Sequence, residues 1–209
     1  GPVVVDGDRM PGARWFPEAR LNFAENLLRR RDRAPAIVFW GEDRLRSRVT
    51  WAELHDEVSR LSQALRAAGV KPRDRVAGYM PNLPGTVIAM LAASSIGAIW
   101  SSCSPDFGVQ GVLDRFGQIE PRVLFAAAGY FYNGKTIDVV DRLREIARSL
   151  PSLQKIVVVP YTRRNPVIDG ILNSVDVHEF MAPYRPRDIR FERLPFNHPL
   201  YILYSSGTT

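Results

Sequence analysis

The chain has 209 residues, 45% of them hydrophobic and 24% charged, which fits a globular domain and excludes collagen-like, coiled-coil and wholly disordered chains. One cysteine, Cys103, excludes an internal disulfide and a cysteine-built metal cage, and His55, His178 and His198 lack ligand spacing, so no metal site is expected. A net charge of +6 and an isoelectric point near 9.8 suit anionic ligands, a nucleic-acid-binding module or simply a solvated arginine-rich surface.

No run of about 18 apolar residues is present, so no membrane span is expected. The first residues, Gly1-Pro2-Val3-Val4-Val5-Asp6, lack a basic head followed by an apolar stretch. With a single cysteine, a cytoplasmic location is the default expectation.

Residues 1–20 hold several Pro and Gly without periodicity and read as an irregular arm. Leu21 to Arg31 reads as a short helix with Phe23, Leu27 and Leu28 on one face. Ala36 to Trp40 is strand-like, and Gly41-Glu42-Asp43 is a turn. Thr50-Trp51-Ala52-Glu53 forms a capping box, in which a hydroxyl and a carboxylate satisfy free amides at a helix start. That helix runs to about Ala68, with Leu54, Val58, Leu61 and Leu65 on one face, and Gly69 supplies a left-handed stop.

Strands and helices then alternate. Arg75 to Met80 is a strand, Thr86 to Ile96 a helix, Ala98 to Ser101 a strand and Val109 to Ile119 a helix. Val123 to Ala127 is a strand, and Thr136 to Leu150 a helix with Val139, Leu143 and Ile146 inward. Lys155 to Val159 is a buried-type strand. A Pro-rich stretch to about Pro199 contains one short helix candidate, Val175 to Phe180. The strand Leu200 to Tyr204 runs straight into Ser205-Ser206-Gly207-Thr208-Thr209. This order predicts an α/β fold, a mostly parallel sheet covered by helices, with ligands at the carboxyl ends of its strands.

Two segments have the composition to cradle phosphate. Gly129-Tyr130-Phe131-Tyr132-Asn133-Gly134-Lys135-Thr136 fits the P-loop spacing G-x-x-x-x-G-K-S/T between a strand and a helix, and so admits a P-loop nucleotidase. Three large aromatics inside the loop, and the lack of a later apolar strand ending in Asp, speak against it. The plain alternative is a turn with Thr136 as helix cap and Lys135 in solvent. The second segment is Tyr204-Ser205-Ser206-Gly207-Thr208-Thr209, where four hydroxyls and a glycine follow a strand and offer donors to an oxyanion. An ordinary polar loop is its plain alternative.

The second segment resembles the first part of the Tyr/Phe-Ser/Thr-Ser-Gly-Ser/Thr-Thr-Gly-x-Pro-Lys signature of adenylate-forming enzymes, the family of acyl-CoA synthetases, luciferases and peptide-synthetase adenylation domains. Thr50-Trp51-Ala52-Glu53-Leu54 and Val76-Ala77-Gly78-Tyr79-Met80-Pro81-Asn82 resemble other family segments in family order. Trp15-Phe16-Pro17, Leu21 to Leu28, Gly97 to Gly108 and Tyr130 to Lys135 resemble the acetoacetate-activating subgroup. Acetyl-CoA synthetases, the neighbouring alternative, carry Gly-Gly-Phe-Ser where Asp106-Phe107-Gly108 stands.

The resemblance implies an acid–thiol ligase that converts a short acyl acid, acetoacetate first, and ATP with Mg2+ to acyl-adenylate, then passes the acyl group to coenzyme A. It implies that Ser205, Ser206, Gly207, Thr208 and Thr209 hold the β- and γ-phosphates, and that Gly134 and Lys135 lie near the coenzyme A nucleotide. By the same resemblance residues 21–209 are an incomplete N-terminal α/β domain. The chain stops inside the signature, and the family's catalytic lysine lies in a C-terminal domain beyond Thr209. No catalytic residue is expected within these residues, and the chain alone is expected to be inactive. Small molecules and the protein's own C-terminal domain, rather than nucleic acid or membrane, are the implied partners. Trp100 reads as core and Cys103 as a small buried residue rather than a nucleophile.

Overall fold

A computed structural model describes residues 1–42, 45–166 and 168–205. The N-terminal arm carries two-residue strands β1 (Val4–Val5), β2 (Arg14–Trp15) and β3 (Arg20–Leu21), β1 and β2 pairing with each other. Helix α1 spans only Phe23–Leu27, shorter than the expected 21–31. Asn22 explains its start: its Oδ1 accepts from the Glu25 amide at 3.2 Å. The same buried side chain donates to Ser94 O (2.9 Å), Ser95 O (3.2 Å) and Glu192 O (2.8 Å). It thereby serves carbonyls left open at a helix end.

Strand β4 (Pro35–Gly41) pairs antiparallel with β5 (Leu45–Thr50), a second strand that its charged composition hid. Helix α2 (Trp51–Ala67) begins at the expected capping box: Thr50 Oγ1 accepts from the Glu53 amide (3.2 Å), and Glu53 Oε2 accepts from the Thr50 amide (2.8 Å). Strand β6 (Arg75–Tyr79), helix α3 (Pro84–Ser95), strand β7 (Ile99–Cys103), helix α4 (Val109–Ile119) and strand β8 (Val123–Ala127) follow as the alternation predicts.

The next segment departs from expectation. Gly129–Tyr132 (β9) and Lys135–Asp138 (β10) form an antiparallel hairpin, and helix α5 starts only at Val140, running to Ser149. Asn133 and Gly134 both take positive φ, 48° and 73°, the pairing that a two-residue type I′ hairpin turn requires. Thr136 is therefore a strand residue and caps no helix; Asp138 accepts from the Val140 amide instead (2.8 Å). The P-loop reading of Gly129–Thr136 falls with this geometry, because a two-residue turn leaves no phosphate-sized loop and no helix N-terminus behind it.

Strand β11 (Lys155–Val159) is followed by β12 (Ser174–Asp176) and α6 (Val177–Met181), where a single helix over 175–180 was expected. β12 is thus a late strand that ends in Asp, but Asp176 caps α6 by accepting from the His178 amide (2.7 Å). Strand β13 (Leu194–Pro195) pairs with β3. The expected strand 200–204 reduces to a single parallel bridge between Tyr201 and Trp100, and Leu203 is 79% exposed rather than buried.

The central sheet is parallel with order β12-β11-β8-β6-β7. The chain moves outward from β6 to β7, then crosses back to β8 and continues the other way. With crossovers of one hand, opposite directions of travel place the helices on opposite faces. Accordingly α2 and α3 pack with Val76, Trp100, Val123, Phe125 and Val157. Helices α4 and α5 pack with Ala77, Tyr79, Leu124, Ala126 and Val158 on the other face. β8 is fully buried along its length, which matches its unbroken apolar sequence. Among the described residues no helix is long and apolar enough to cross a membrane.

Trp100, 4% exposed, lies across β6 where Gly78 leaves room. A Cβ on Gly78 would sit 2.8 Å from Trp100 Cζ2. Gly78→Ala is therefore expected to lower stability by about 1–3 kcal/mol through forced displacement of the indole. Urea unfolding of the variant measures this, and an unchanged midpoint would refute the packing argument.

Candidate functional site

In parallel sheets the crevice forms where neighbouring strands send their chain in opposite directions. Here that point lies at the carboxyl ends of β6, β7 and β8. A cleft of about 590 Å³ opens there, between Met80-Pro81-Asn82 after β6, Ser102 to Asp106 at the end of β7, and Tyr130-Phe131-Tyr132 of β9. Its size suits a small-molecule ligand. The lining combines the aromatic residues of β9 with Ser102 and Ser104, a combination that fits a flat heterocycle with polar substituents.

The wall after β7 is held from behind. Tyr79, 0% exposed at the end of β6, donates its hydroxyl hydrogen toward Pro105 O (2.9 Å) and Phe107 O (2.7 Å). Burial pushes the Tyr79 phenol above its ordinary value, so it stays a donor. Arg142 Nη1 of α5 donates to the same Pro105 carbonyl at 3.3 Å. Hydrogen bonding to Tyr79 raises the Arg142 guanidinium pKa, with a smaller contribution from Tyr130. Arg142 therefore supports the loop after β7 from the side of α5.

The hairpin wall rests on aromatic contacts. Phe131 meets Tyr161 edge-on with centroids 5.1 Å apart, and Tyr161 meets Phe39 at 6.2 Å. At the turn, the Gly134 amide donates to Glu42 Oε2 at 3.3 Å. Gly134 and Lys135 stand exposed at this turn, beyond the aromatic wall that lines the cleft.

The second site segment approaches from the β7 side. Trp100 N donates to Leu200 O (3.0 Å), Ile202 N to Trp100 O (2.9 Å), and Ser101 Oγ to Ile202 O (2.9 Å). Tyr204 then donates its hydroxyl hydrogen to Arg115 O on α4 (2.7 Å). Ser205 follows, exposed. Ser206, Gly207, Thr208 and Thr209 lie outside the described residues. The hairpin residues and Ser205 thus arrive from opposite sides of β6.

Sequence reasoning missed Tyr79, Arg115 and Arg142. A tyrosine at the end of an otherwise small and apolar strand was the available signal for the first. Arg115 and Arg142 read as ordinary polar positions of amphipathic helices. No group of three His, Cys, Asp or Glu side chains able to hold a metal occurs among the described residues.

Cys103 borders the cleft but is 8% exposed, and burial pushes its thiol from 9.0 up to about 12. It is accordingly protonated at neutral pH, in agreement with a packing role. The folded state holds this proton more tightly than the unfolded state, so the thiol's contribution to stability is full below pH 9 and is lost as pH rises toward 12. Iodoacetamide at pH 8 is expected to leave native Cys103 unmodified and to alkylate it in urea; rapid native alkylation would contradict this.

Comparison with known proteins places the chain. The family model described as AMP-binding enzyme matches residues 23–209. An acetoacetyl-coenzyme A synthetase of Rhizobium meliloti (strain 1021) is 55% identical over 99% of this chain and 32% of its own length. An acetoacetyl-CoA synthetase of Danio rerio is 47% identical over 93% of this chain and 30% of its own length. The solved structure of an acetoacetyl-CoA synthetase from Streptomyces lividans superposes with a TM-score of 0.91 at 45% identity, over 100% of this chain and 32% of that one. The chain spans about a third of the length of the curated relatives it matches.

Proposed function

This chain belongs to the AMP-binding enzyme family, and from that premise we propose that it forms part of an ATP-dependent acid–thiol ligase acting on acetoacetate. The observation that carries this reading is the high identity to acetoacetyl-CoA synthetases along almost the whole chain. The cleft at the sheet's reversal point and the hydroxyl-rich segment after Tyr204 support it.

In the proposed reaction the acetoacetate carboxylate attacks the α-phosphorus of ATP, and pyrophosphate leaves. The coenzyme A sulfur then attacks the acyl carbonyl of the adenylate, and AMP leaves. Both steps build negative charge on phosphate or acyl oxygens, so positioned donors lower the barrier more than any protein nucleophile would. We assign the bond-making roles to no residue of this chain. Ser205, Ser206, Gly207, Thr208 and Thr209 would hold the β- and γ-phosphates through hydroxyls and closely approaching amides. Mg2+ would come with the nucleotide, held chiefly by its phosphate oxygens.

The exposed turn suits a contact to a charged nucleotide. Lys135 would pair with a phosphate of coenzyme A, and Gly134 would let the chain turn beneath it. The remainder of the protein, including its own C-terminal domain, would close the site from the other side.

The direct test is acetoacetate-dependent exchange of labelled pyrophosphate into ATP by the longer protein that contains this chain. Exchange with acetoacetate well above that with acetate is expected, and a lack of exchange with any short acid would overturn the reading. In the same protein Lys135→Ala is expected to raise the KM for coenzyme A about 5- to 30-fold, the loss of one exposed phosphate contact. Pyrophosphate exchange should stay near its original rate. If exchange collapses instead, Lys135 serves ATP.

A further inference from the structure

Arg115 occupies a place that the proposed reaction does not explain. It lies on α4, behind the loop that walls the cleft. Its guanidinium carbon stands 4.3 Å from the centroid of Phe107 and 5.6 Å from that of Tyr204. Its Nη1 donates to Gly111 O one helical turn earlier (2.8 Å), which fixes the direction of the side chain. Its own carbonyl accepts from the Tyr204 hydroxyl (2.7 Å). Arg115 therefore contacts two rings that belong to different parts of the site.

Phe107 ends the loop whose Pro105 and Asp106 line the cleft, and its carbonyl accepts from Tyr79. Tyr204 directly precedes Ser205, the first residue of the hydroxyl-rich segment. A planar cation contacting two aromatic rings sets their relative position, because it draws on the face of each. Movement of Phe107 away from the guanidinium costs contact at one ring. Movement of Tyr204 costs contact at the other, and both are felt at one side chain.

We propose that Arg115 is a positioning residue that couples the loop at Phe107 to the base of the phosphate-holding segment at Tyr204, so that its removal weakens ATP binding. The proposal rests on the ligase reading above. It adds a residue whose effect on ATP is exerted through Tyr204 and not by touching the reacting atoms.

The test uses the longer protein. Arg115→Met keeps the stem and removes the charged plane, whereas Arg115→Lys keeps a cation. For the Met variant the KM for ATP in acetoacetate-dependent pyrophosphate exchange is expected to rise about tenfold. The KM for coenzyme A in thioester formation is expected to stay near its original value, because the hairpin rests on other contacts, and Lys is expected to recover part of the loss for ATP. An unchanged KM for ATP in a folded Arg115→Met protein overturns the proposal, whatever happens to its melting temperature. If that variant does not fold, Phe107→Leu and Tyr204→Leu decide the matter singly and combined. Non-additive effects on the KM for ATP support coupling, and additive effects overturn it. A wild-type protein without exchange on any short acid overturns the ligase reading itself, whereas wild-type exchange with an insensitive Met variant removes only the role of Arg115.

Discussion

The Tyr79 hydroxyl is the constraint around which the cleft is built. It stands at the end of β6, the strand on either side of which the sheet grows in opposite directions. One buried oxygen meets two carbonyls of the chain leaving β7, at Pro105 and Phe107. A buried carbonyl without a partner costs roughly 1–3 kcal/mol. Pro105 O also has the Arg142 donor at 3.3 Å, so it is the Phe107 carbonyl that ties the loop to the tyrosine. Because Phe107 also faces Arg115, and Arg115 faces Tyr204, the position of Tyr204 refers back to the same oxygen.

The surrounding layers make that placement possible. β8 and β6 are buried on both faces, so the strand ends are rigid relative to one another. Gly78 lets Trp100 cross β6 on one face while Tyr79 points to the other. The alternating residues of β6 thus serve different layers, Val76 and Gly78 on one face and Ala77 and Tyr79 on the other. The hairpin wall has separate foundations, the aromatic contacts to Tyr161 and Phe39 and the carboxylate of Glu42. This separation fits the proposed assignment of coenzyme A contacts to the hairpin and phosphate contacts to the segment that follows Tyr204.

The parallel α/β sheet was legible because its signals are local: the capping box at Thr50, the apolar faces of α2 and α5, and the unbroken apolar runs of β8 and β11. The hairpin β9–β10 was misread because a glycine-lysine-threonine spacing outweighed the Asn133-Gly134 pair, which is itself a turn signal. β5 was hidden because its outer residues Arg46 and Arg48 are charged and exposed, and only pairing with β4 makes them a strand. The site was legible only through resemblance where it consists of Ser205 to Thr209 and Lys135. Tyr79, Arg115 and Arg142 act through distances across elements that no local pattern encodes.

Hydrogen exchange of a Tyr79→Phe variant, followed residue by residue, tests the central role of that hydroxyl most directly. Loss of this shared hydrogen bond is expected to speed exchange in the loop before α4 and at its first turn, residues 106–112, while β8 amides keep their protection. Titration of the longer protein with ATP should show weaker binding by the same variant. Unaltered exchange at 106–112 together with unaltered ATP affinity would contradict the account, because the cleft wall would then be held by something other than Tyr79.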